Sequence, residues 1–186
     1  AGNTRIKWAL ARAESFNLND PWIKSGHFNH EQANEDVRHH LIHEASSIKK
    51  IICASVINKN TIEQLKATLK RICPTASWHD ISGNSALSQV GTTYIAPEKL
   101  GADRRAMIIG AAELFPKRNI LIICTGTATT IDLLSSNKQH LGGLILPGIK
   151  LMSQSLHMGT AQLPDIFSHT TPLAPLSLGI DTPSSI

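Results

Sequence analysis

The chain has little of what membrane proteins, disulfide-rich proteins and zinc modules require. Its longest apolar runs, Ile120–Cys124 and Leu144–Pro147, are far shorter than the roughly 20 residues of a membrane-spanning helix. Its three cysteines show no C-x-x-C spacing, so we expect reduced, mostly buried thiols. No basic-then-apolar leader opens the sequence. We therefore expect a cytoplasmic protein that does not associate with a membrane.

Aromatic residues are also scarce, and the positive charge is not clustered. Aromatics make up 4% of the 186 residues, and the formal net charge of +4 is spread along the chain. Nucleic-acid binding normally requires a localised basic surface, so we expect no nucleic-acid partner. A small anion such as a nucleotide is sufficient to account for the charge. The 41% hydrophobic content is typical of a globular protein.

Hydrophobic periodicity predicts alternating strands and helices, an order typical of an α/β fold. The predicted strands are Arg5–Leu10, Lys50–Ile57, Trp78–Ile81, Asn119–Cys124, Thr129–Leu134 and Leu141–Leu146. Helices are predicted at His30–Ser47, at Gly101–Phe115, and after Gly148 through Leu156. A further helix is amphipathic, and its apolar face carries Ile62, Leu65, Leu69 and Ile72. Its predicted cap is Asn60 or Thr61.

Both ends of the chain look incomplete. The first predicted strand leaves a Gly2–Thr4 turn that no strand enters, and the last residues carry four prolines without the helices that would cover a closing sheet. We therefore expect a chain that is truncated at both termini. The strand and Gly-Thr turn near residue 126 repeat the pattern of the opening, which suggests two related halves.

Two glycine-containing turns are candidates for phosphate binding. Gly2–Thr4 can direct backbone N–H groups and a hydroxyl at phosphate oxygens, and Lys7 follows on the next strand. Gly126–Thr130 places small and hydroxyl residues at a second turn, and Asp132 follows as a possible metal ligand. The alternatives are an ordinary hairpin turn and a threonine-rich edge strand.

The segment Gly101–Arg104 places a carboxylate and a guanidinium in the first turn of a helix. Asp103 is either a helix-capping residue or a general base for an alcohol. Arg104 offers a planar fork that suits a substrate carboxylate or amide. The preceding loop, with Tyr94 and Pro97, favours the functional interpretation.

A histidine cluster on the polar helix over 30–47 does not predict a metal site. His39 and His43 are four residues apart, but the H-E-x-x-H pattern is absent and the helix is polar. We expect a solvated face there and assign no metal.

Taken together, these segments resemble type III pantothenate kinases, including the Bvg accessory factor-like members of that family. The matching motifs are A-G-N-T-R-I-K at 1–7, A-S-V at 54–56, Y-x-x-P-x-x-L-G-A-D-R at 94–104, G-T-A-T-T-I-D at 126–132, G-G-L-I-L-P-G-I at 142–149 and T-A-Q-L-P at 160–164. They occur in order over nearly the whole chain.

The resemblance implies an α/β fold of the actin/hexokinase/Hsp70-like, ribonuclease H-like ATPase class. Its two related domains, here expected at 1–108 and 109–186, would enclose a nucleotide cleft. The implied activity is ATP-dependent phosphorylation of pantothenate to 4′-phosphopantothenate, the first step of coenzyme A biosynthesis.

The resemblance also assigns roles to residues. It implies that Asp103 is the base that accepts the proton of the primary hydroxyl. The implied pantothenate contacts are Tyr94, Gly101, Ala102, Asp103, Arg104 and Thr160. The implied ATP contacts are Ala1, Gly2, Asn3, Thr4, Arg5, Ile6, Lys7 and Thr127. A homodimer with pantothenate sites near the interface is implied as well.

Two departures from the family pattern affect the expected cations. The family's first motif begins with an Asp immediately before the position of Ala1, which bears on how Mg²⁺ and ATP are organised. Many members bind K⁺ or NH₄⁺ through an Asp three residues before the position of Thr127, where this chain has Cys124. The resemblance implies Mg²⁺ with ATP and a monovalent cation, the latter held differently or not required.

Two other functions remain as alternatives. A catalytically silent relative that acts as a regulatory or accessory protein would tolerate a damaged first motif, but Asp103 beside the substrate loop argues against it. A sugar or acetate kinase of the same superfamily is disfavoured by the Y-x-x-P-x-x-L-G-A-D-R spacing, since fold alone does not separate these activities.

Overall fold

The computed structural model describes residues 5–12, 20–29, 33–85 and 89–165. Within these ranges the elements alternate as a mixed α/β protein, which confirms the predicted class. In chain order they are β1 Ile6–Leu10, β2 Lys24–Phe28, α1 Ala33–Leu41, β3 Lys50–Ala54, α2 Lys59–Ile72, β4 Ser77–Ile81, β5 Gly91–Thr92, a short 3₁₀ helix Pro97–Lys99, α3 Ala102–Leu114, β6 Ile120–Thr125, β7 Ala128–Leu134, β8 Gln139–Pro147 and α4 Ile149–Gly159.

The N-terminal part contains two small sheets over one apolar core. β1 pairs antiparallel with β2, and β3 pairs parallel with β4 through the crossover helix α2. The core between them contains Ile6 and Phe28 from the first sheet, Val37 and Leu41 from α1, and the buried face of α2. Burial of this apolar surface is what holds two short strand pairs together.

Helix α2 has the predicted buried face but a different cap. Ile62, Leu65 and Leu69 are buried at the expected spacing. The cap is Asn58, because its side-chain oxygen accepts the backbone N–H of Thr61 at 2.9 Å. The prediction of Asn60 or Thr61 as the cap is therefore wrong by two or three residues. A cap must stand outside the helix with extended backbone, as Asn58 does with φ −60° and ψ 151°.

The C-terminal part is a four-stranded sheet in the order β5, β8, β7, β6. Its two hairpins are antiparallel, whereas β5 joins β8 in parallel. Helix α3 packs on one face, where Ile108 is fully buried against Leu100 and Leu134. The three strands predicted between 119 and 146 are confirmed, and α4 runs three residues beyond its predicted end.

Helix α3 connects the two parts of the fold. It contacts β3 and β4 on one side and β6 and β7 on the other. The expected domain boundary between residues 108 and 109 therefore lies inside this helix, and the division into two duplicated halves stays a prediction. Among the residues that the structure describes, no helix is long and apolar enough to cross a membrane.

Candidate active site

The start of α3 presents one carboxylate to solvent. Gly101 is the N-cap, and Asp103 is exposed in the first turn. Its Oδ1 accepts the backbone N–H of Arg104 at 2.8 Å, so the carboxylate stabilises the positive end of the helix. A Cβ on Gly101 would lie 2.7 Å from that oxygen, so a larger residue there would make the Asp103 side chain shift. Among the described residues, Oδ2 of Asp103 has no hydrogen-bond partner.

The next side chain, Arg104, points inward. It is 4% exposed, and its fork binds the Asp132 carboxylate through Nε at 3.0 Å and Nη2 at 2.6 Å. Its Nη1 donates to the Tyr94 hydroxyl at 2.9 Å. The hydrogen bonds to Asp132 raise the pKa of Arg104 further above its ordinary value, outweighing the effect of burial. The structure thus gives this predicted substrate clamp internal partners on both of its outer nitrogens.

Asp132 is buried at the centre of the sheet. It is 0% exposed, and besides the Arg104 fork its Oδ1 lies 2.8 Å from Nε2 of His140. Both carboxylate oxygens are therefore engaged by protein donors. No group of three or more acidic, histidine or cysteine side chains in the described part of the chain could hold a metal ion. The hypothesis of a metal at Asp132 stays untested, but this geometry assigns the carboxylate to Arg104 and His140.

Sequence reasoning missed two members of this cluster, His140 on β8 and Thr92 on β5. His140 is 0% exposed, and its Nδ1 lies 2.9 Å from the Thr92 hydroxyl. Tyr94 stacks on the His140 ring with centroids 5.7 Å apart. The signal that could have found them is the pair of polar residues Asp132 and His140 inside apolar strands, because buried charges require partners.

The second predicted phosphate turn lies against the start of α4. Gly126 and Thr127 connect β6 to β7, and Gly148 donates its N–H to the Thr127 carbonyl at 3.0 Å. A Cβ on Gly148 would lie 2.6 Å from that same oxygen, so a larger residue would push the turn away. Gly148 therefore lets the exposed turn and a helix N-terminus lie together, a combination that favours anions.

The remaining predicted contacts are dispersed. Ala1, Gly2, Asn3 and Thr4 lie outside the described residues. Arg5 and Lys7 are exposed at β1, whereas the Ile6 side chain is 3% exposed and belongs to the core. Thr160 follows α4, where its hydroxyl donates to the Leu156 carbonyl at 2.7 Å. The structure thus groups Tyr94 and the segment 101–104 in one cluster.

Comparison with known proteins identifies the family. The family model of type III pantothenate kinase matches residues 1–186. The chain belongs to the type III pantothenate kinase family. A type III pantothenate kinase of Janthinobacterium sp. (strain Marseille) is 33% identical, with 97% of this chain and 70% of the relative aligned. One from Burkholderia cenocepacia (strain HI2424) is 36% identical over 100% of this chain and 69% of its own length. One from Burkholderia vietnamiensis (strain G4 / LMG 22486) is 37% identical, with 89% of this chain and 61% of the relative aligned.

This membership places the two clusters in a kinase. The family match includes the cluster of Tyr94 and residues 101–104 at the N-terminus of α3. It also includes the turn at Gly126 and Thr127, which lies against the N-terminus of α4. A type III pantothenate kinase requires a group that activates an alcohol and a surface that receives phosphates. These two clusters are the candidates.

Proposed function

We propose that this protein transfers the γ-phosphoryl group of ATP to pantothenate, giving 4′-phosphopantothenate and opening coenzyme A biosynthesis. The observation that carries the proposal is the exposed carboxylate of Asp103 at the start of α3, in a chain of this family. Asp103 accepts the proton of the primary hydroxyl, the hydroxyl oxygen attacks the γ-phosphorus, and ADP leaves with the bridging oxygen. One positioned base contributes roughly 10²- to 10⁴-fold in rate.

The pantothenate side of the site centres on Tyr94 and the segment 101–104. Tyr94 is half-buried and Asp103 is exposed, and Arg104 touches both of them. Because the Arg104 side chain is buried, we propose that it serves the substrate by holding its two neighbours. Thr160 remains a proposed pantothenate contact.

The nucleotide side uses the glycine turns. We propose that Thr127 and the N-terminus of α4 face the ATP phosphates, with residues 1–7 on the opposite wall of a cleft. Two related domains, 1–108 and 109–186, of an actin-like, ribonuclease H-like fold would form that cleft. The mixed α/β architecture and the turn at Gly126 and Thr127 support this arrangement.

The residues fit the two expected cations differently. Mg²⁺ commonly enters kinases on the phosphates with few protein ligands, which suits the lack of an acidic cluster among the described residues. K⁺ or NH₄⁺ prefers oxygen ligands, and the half-buried thiol of Cys124 is a poor substitute for a carboxylate. Cys124 therefore does not fit a monovalent cation site, and no step is assigned to that ion.

We further propose a cytoplasmic homodimer. The face of the sheet opposite α3 carries several exposed apolar side chains. Its exposed side chains are Leu121, Ile123, Leu133, Leu144 and Leu146. A face of this kind normally packs against protein, either a second copy or a further segment. Light scattering of the full-length protein tests the dimer directly.

An assay of ADP release tests the proposed activity. In the full-length protein with Mg-ATP and either K⁺ or NH₄⁺, we expect turnover that requires pantothenate. Asp103→Asn should lower kcat by about 10²- to 10⁴-fold, with ATP binding nearly unchanged. Glu113→Gln is the matched control, because it neutralises an exposed carboxylate at the far end of the same helix. Nucleotide binding without any turnover would support an accessory protein instead, and equal loss of both properties in Asp103→Asn would exclude the base.

A further inference from the structure

We propose that Thr92, His140, Asp132 and Arg104 form a buried positioning network that fixes Tyr94 and Asp103 for the phosphoryl transfer. The proposal rests on the proposed function and adds two residues, Thr92 and His140, that touch no substrate. They act through Asp132 and Arg104.

The hydrogen bonds of this network form a closed ring that begins and ends at Tyr94. The Tyr94 backbone N–H donates to Oγ1 of Thr92 at 3.2 Å, and the Thr92 hydroxyl lies 2.9 Å from Nδ1 of His140. On the other side of the imidazole, Nε2 lies 2.8 Å from Asp132, which receives the Arg104 fork. Arg104 then returns to the Tyr94 hydroxyl at 2.9 Å. The ring therefore holds both the backbone N–H and the side-chain hydroxyl of Tyr94.

The geometry of the ring favours one tautomer of His140. Because Asp132 is a carboxylate that accepts, Nε2 carries the proton and donates. Thr92 Oγ1 accepts the Tyr94 backbone N–H, and in the tautomer with the proton on Nε2 its own proton is donated to Nδ1. Asp132 only accepts and Arg104 only donates, so Thr92 and His140 are the side chains between them that can do both. An imidazole with its proton on Nε2 satisfies both neighbours, whereas an apolar side chain would leave the Thr92 hydroxyl without this acceptor and Asp132 with the Arg104 fork alone.

The position of Asp103 depends on the same network. Arg104 is anchored in the interior by Asp132, and its backbone N–H holds the Asp103 carboxylate. A change that shifts residue 104 at the start of α3 therefore moves the proposed base, and a change that rotates its side chain releases the tyrosine hydroxyl. A displacement of about 1 Å at a reacting group can cost about 100-fold in rate.

Burial indicates that the network is more than a stabilising contact. Arg104, Asp132 and His140 are all at most 4% exposed. A buried ion pair is often no more stabilising than apolar residues of equal volume, so stability alone does not explain it. Directed hydrogen bonds hold Tyr94 and Asp103 in one orientation beside the substrate, which apolar packing would do less well.

The test replaces His140 and follows Tyr94, which is the single tyrosine of the sequence. In full-length protein labelled with ring-¹³C tyrosine, we expect one set of ring signals, shifted by the stacked imidazole. His140→Leu should move and broaden these signals, and His140→Gln, which retains a donor and an acceptor, should restore much of the order. His79→Leu, on exposed β4, is the control and should leave the signals unchanged.

Kinetics provide the second readout. We expect His140→Leu to lower kcat/KM for pantothenate by about 10- to 100-fold, as for other residues that orient a reacting group, with KM for ATP unchanged. In a Tyr94→Phe background the same substitution should cost less, because the two changes break one ring. Unmoved tyrosine signals in a folded His140→Leu protein would overturn the network whether or not the enzyme turns over. Wild-type protein without pantothenate turnover would instead contradict the proposed function.

Discussion

Two ion pairs in this fold each join a basic side chain to an aspartate, but their surroundings are opposite. Arg104 and Asp132 join α3 to β7 with side chains that are 5% and 1% exposed. Lys66 and Asp80 join α2 to β4 with side chains that are 28% and 51% exposed, at an N–O distance of 2.8 Å. Each pair links a helix to a strand, so the comparison shows how burial and the set of partners change what an ion pair contributes.

The comparison shows that partners, more than distance, determine what a pair does. Asp132 has no access to water and depends on Arg104 and His140 for every hydrogen bond it makes. Asp80 can exchange Lys66 for water at little cost, since solvent screens an exposed charge. The buried pair therefore fixes the relative position of α3 and β7, whereas the exposed pair adds little to the position of α2 on β4.

Removing the buried carboxylate should have the largest effect on stability. Asp132→Leu leaves the Arg104 guanidinium buried without a counter-charge, and the loss of one partner of a buried pair costs about 3–5 kcal/mol. We expect the midpoint of urea denaturation to fall strongly, and the unfolding transition provides the measurement.

The double variant Arg104→Met/Asp132→Leu sharpens this test. With both charges removed, no uncompensated ion remains, so we expect stability to recover by at least half of the loss while pantothenate turnover does not recover. A single variant no less stable than Asp80→Leu would show that burial does not separate the two pairs.

Gly143 provides a second way to disturb the buried pair, without changing a charge. It pairs with Asp132 across β7 and β8, and a Cβ there would lie 2.5 Å from Asp132 Oδ1 and 2.7 Å from Arg104 Nη2. We expect Gly143→Ala to cost about 1–3 kcal/mol, because neither the strand nor the ion pair can move aside easily. Thermal unfolding measures the loss.

Gly110→Ala is the matched control for that substitution. Gly110 lies in α3, where a Cβ would meet nothing within 4 Å. Alanine is the better helix former by about 1 kcal/mol, so this variant should be as stable as the parent or more so. A loss of stability in both variants would mean that the tight contact at Gly143 is not the cause.

Removing the cap of α2, which is exposed, should have an effect on stability between those of the buried and the exposed ion pair. The Asn58 side chain accepts from Thr61 at the helix start, and removing it with Asn58→Ala should cost about 1 kcal/mol. Asn60→Ala lies inside the helix and should be neutral or slightly stabilising. Chemical denaturation of both variants gives the comparison, and equal losses would argue that neither residue caps the helix.

Sequence patterns within single segments correctly predicted those elements whose structure depends on neighbouring residues. The buried face of α2, the extent of α3 and the strands β6, β7 and β8 follow from apolar spacing and from turn residues within each segment. The proposed base follows as well, because an aspartate in the first turn of a helix is visible in the sequence. Strand β2, Lys24–Phe28, was not predicted, since it carries one large apolar side chain and becomes a strand by pairing with β1.

The interior of the site could not be predicted because its contacts are distant in sequence. Arg104 and Asp132 are 28 residues apart, and Thr92 and His140 are 48 apart. Only the parallel pairing of the two-residue strand β5 with β8 brings the latter pair together. From its sequence Arg104 resembles a substrate clamp, and its burial depends on a sheet whose register no local pattern fixes.

The exposed pair should show the smallest effect, with a definite dependence on pH. Partial burial raises the pKa of Asp80, but hydrogen bonds from Lys66 and Trp78 outweigh it and leave the pKa lowered. The same hydrogen bond raises the pKa of Lys66. The stabilisation is therefore complete between pH values of about 4 and 10, where both groups are charged even in the unfolded chain. It is lost as the pH falls through the folded pKa of Asp80 or rises through that of Lys66.

A double-mutant cycle of Lys66→Ala and Asp80→Asn should give a coupling below about 1 kcal/mol at neutral pH. That coupling should shrink in 1 M salt, where the screening length falls to about 3 Å. A salt-insensitive coupling would indicate that the direct hydrogen bond from Lys66 Nζ to Asp80 Oδ2, rather than long-range attraction, makes up the greater part of the interaction. A coupling comparable to that of the buried pair would remove the distinction between the two regions, because exposure would then have no bearing on what an ion pair contributes.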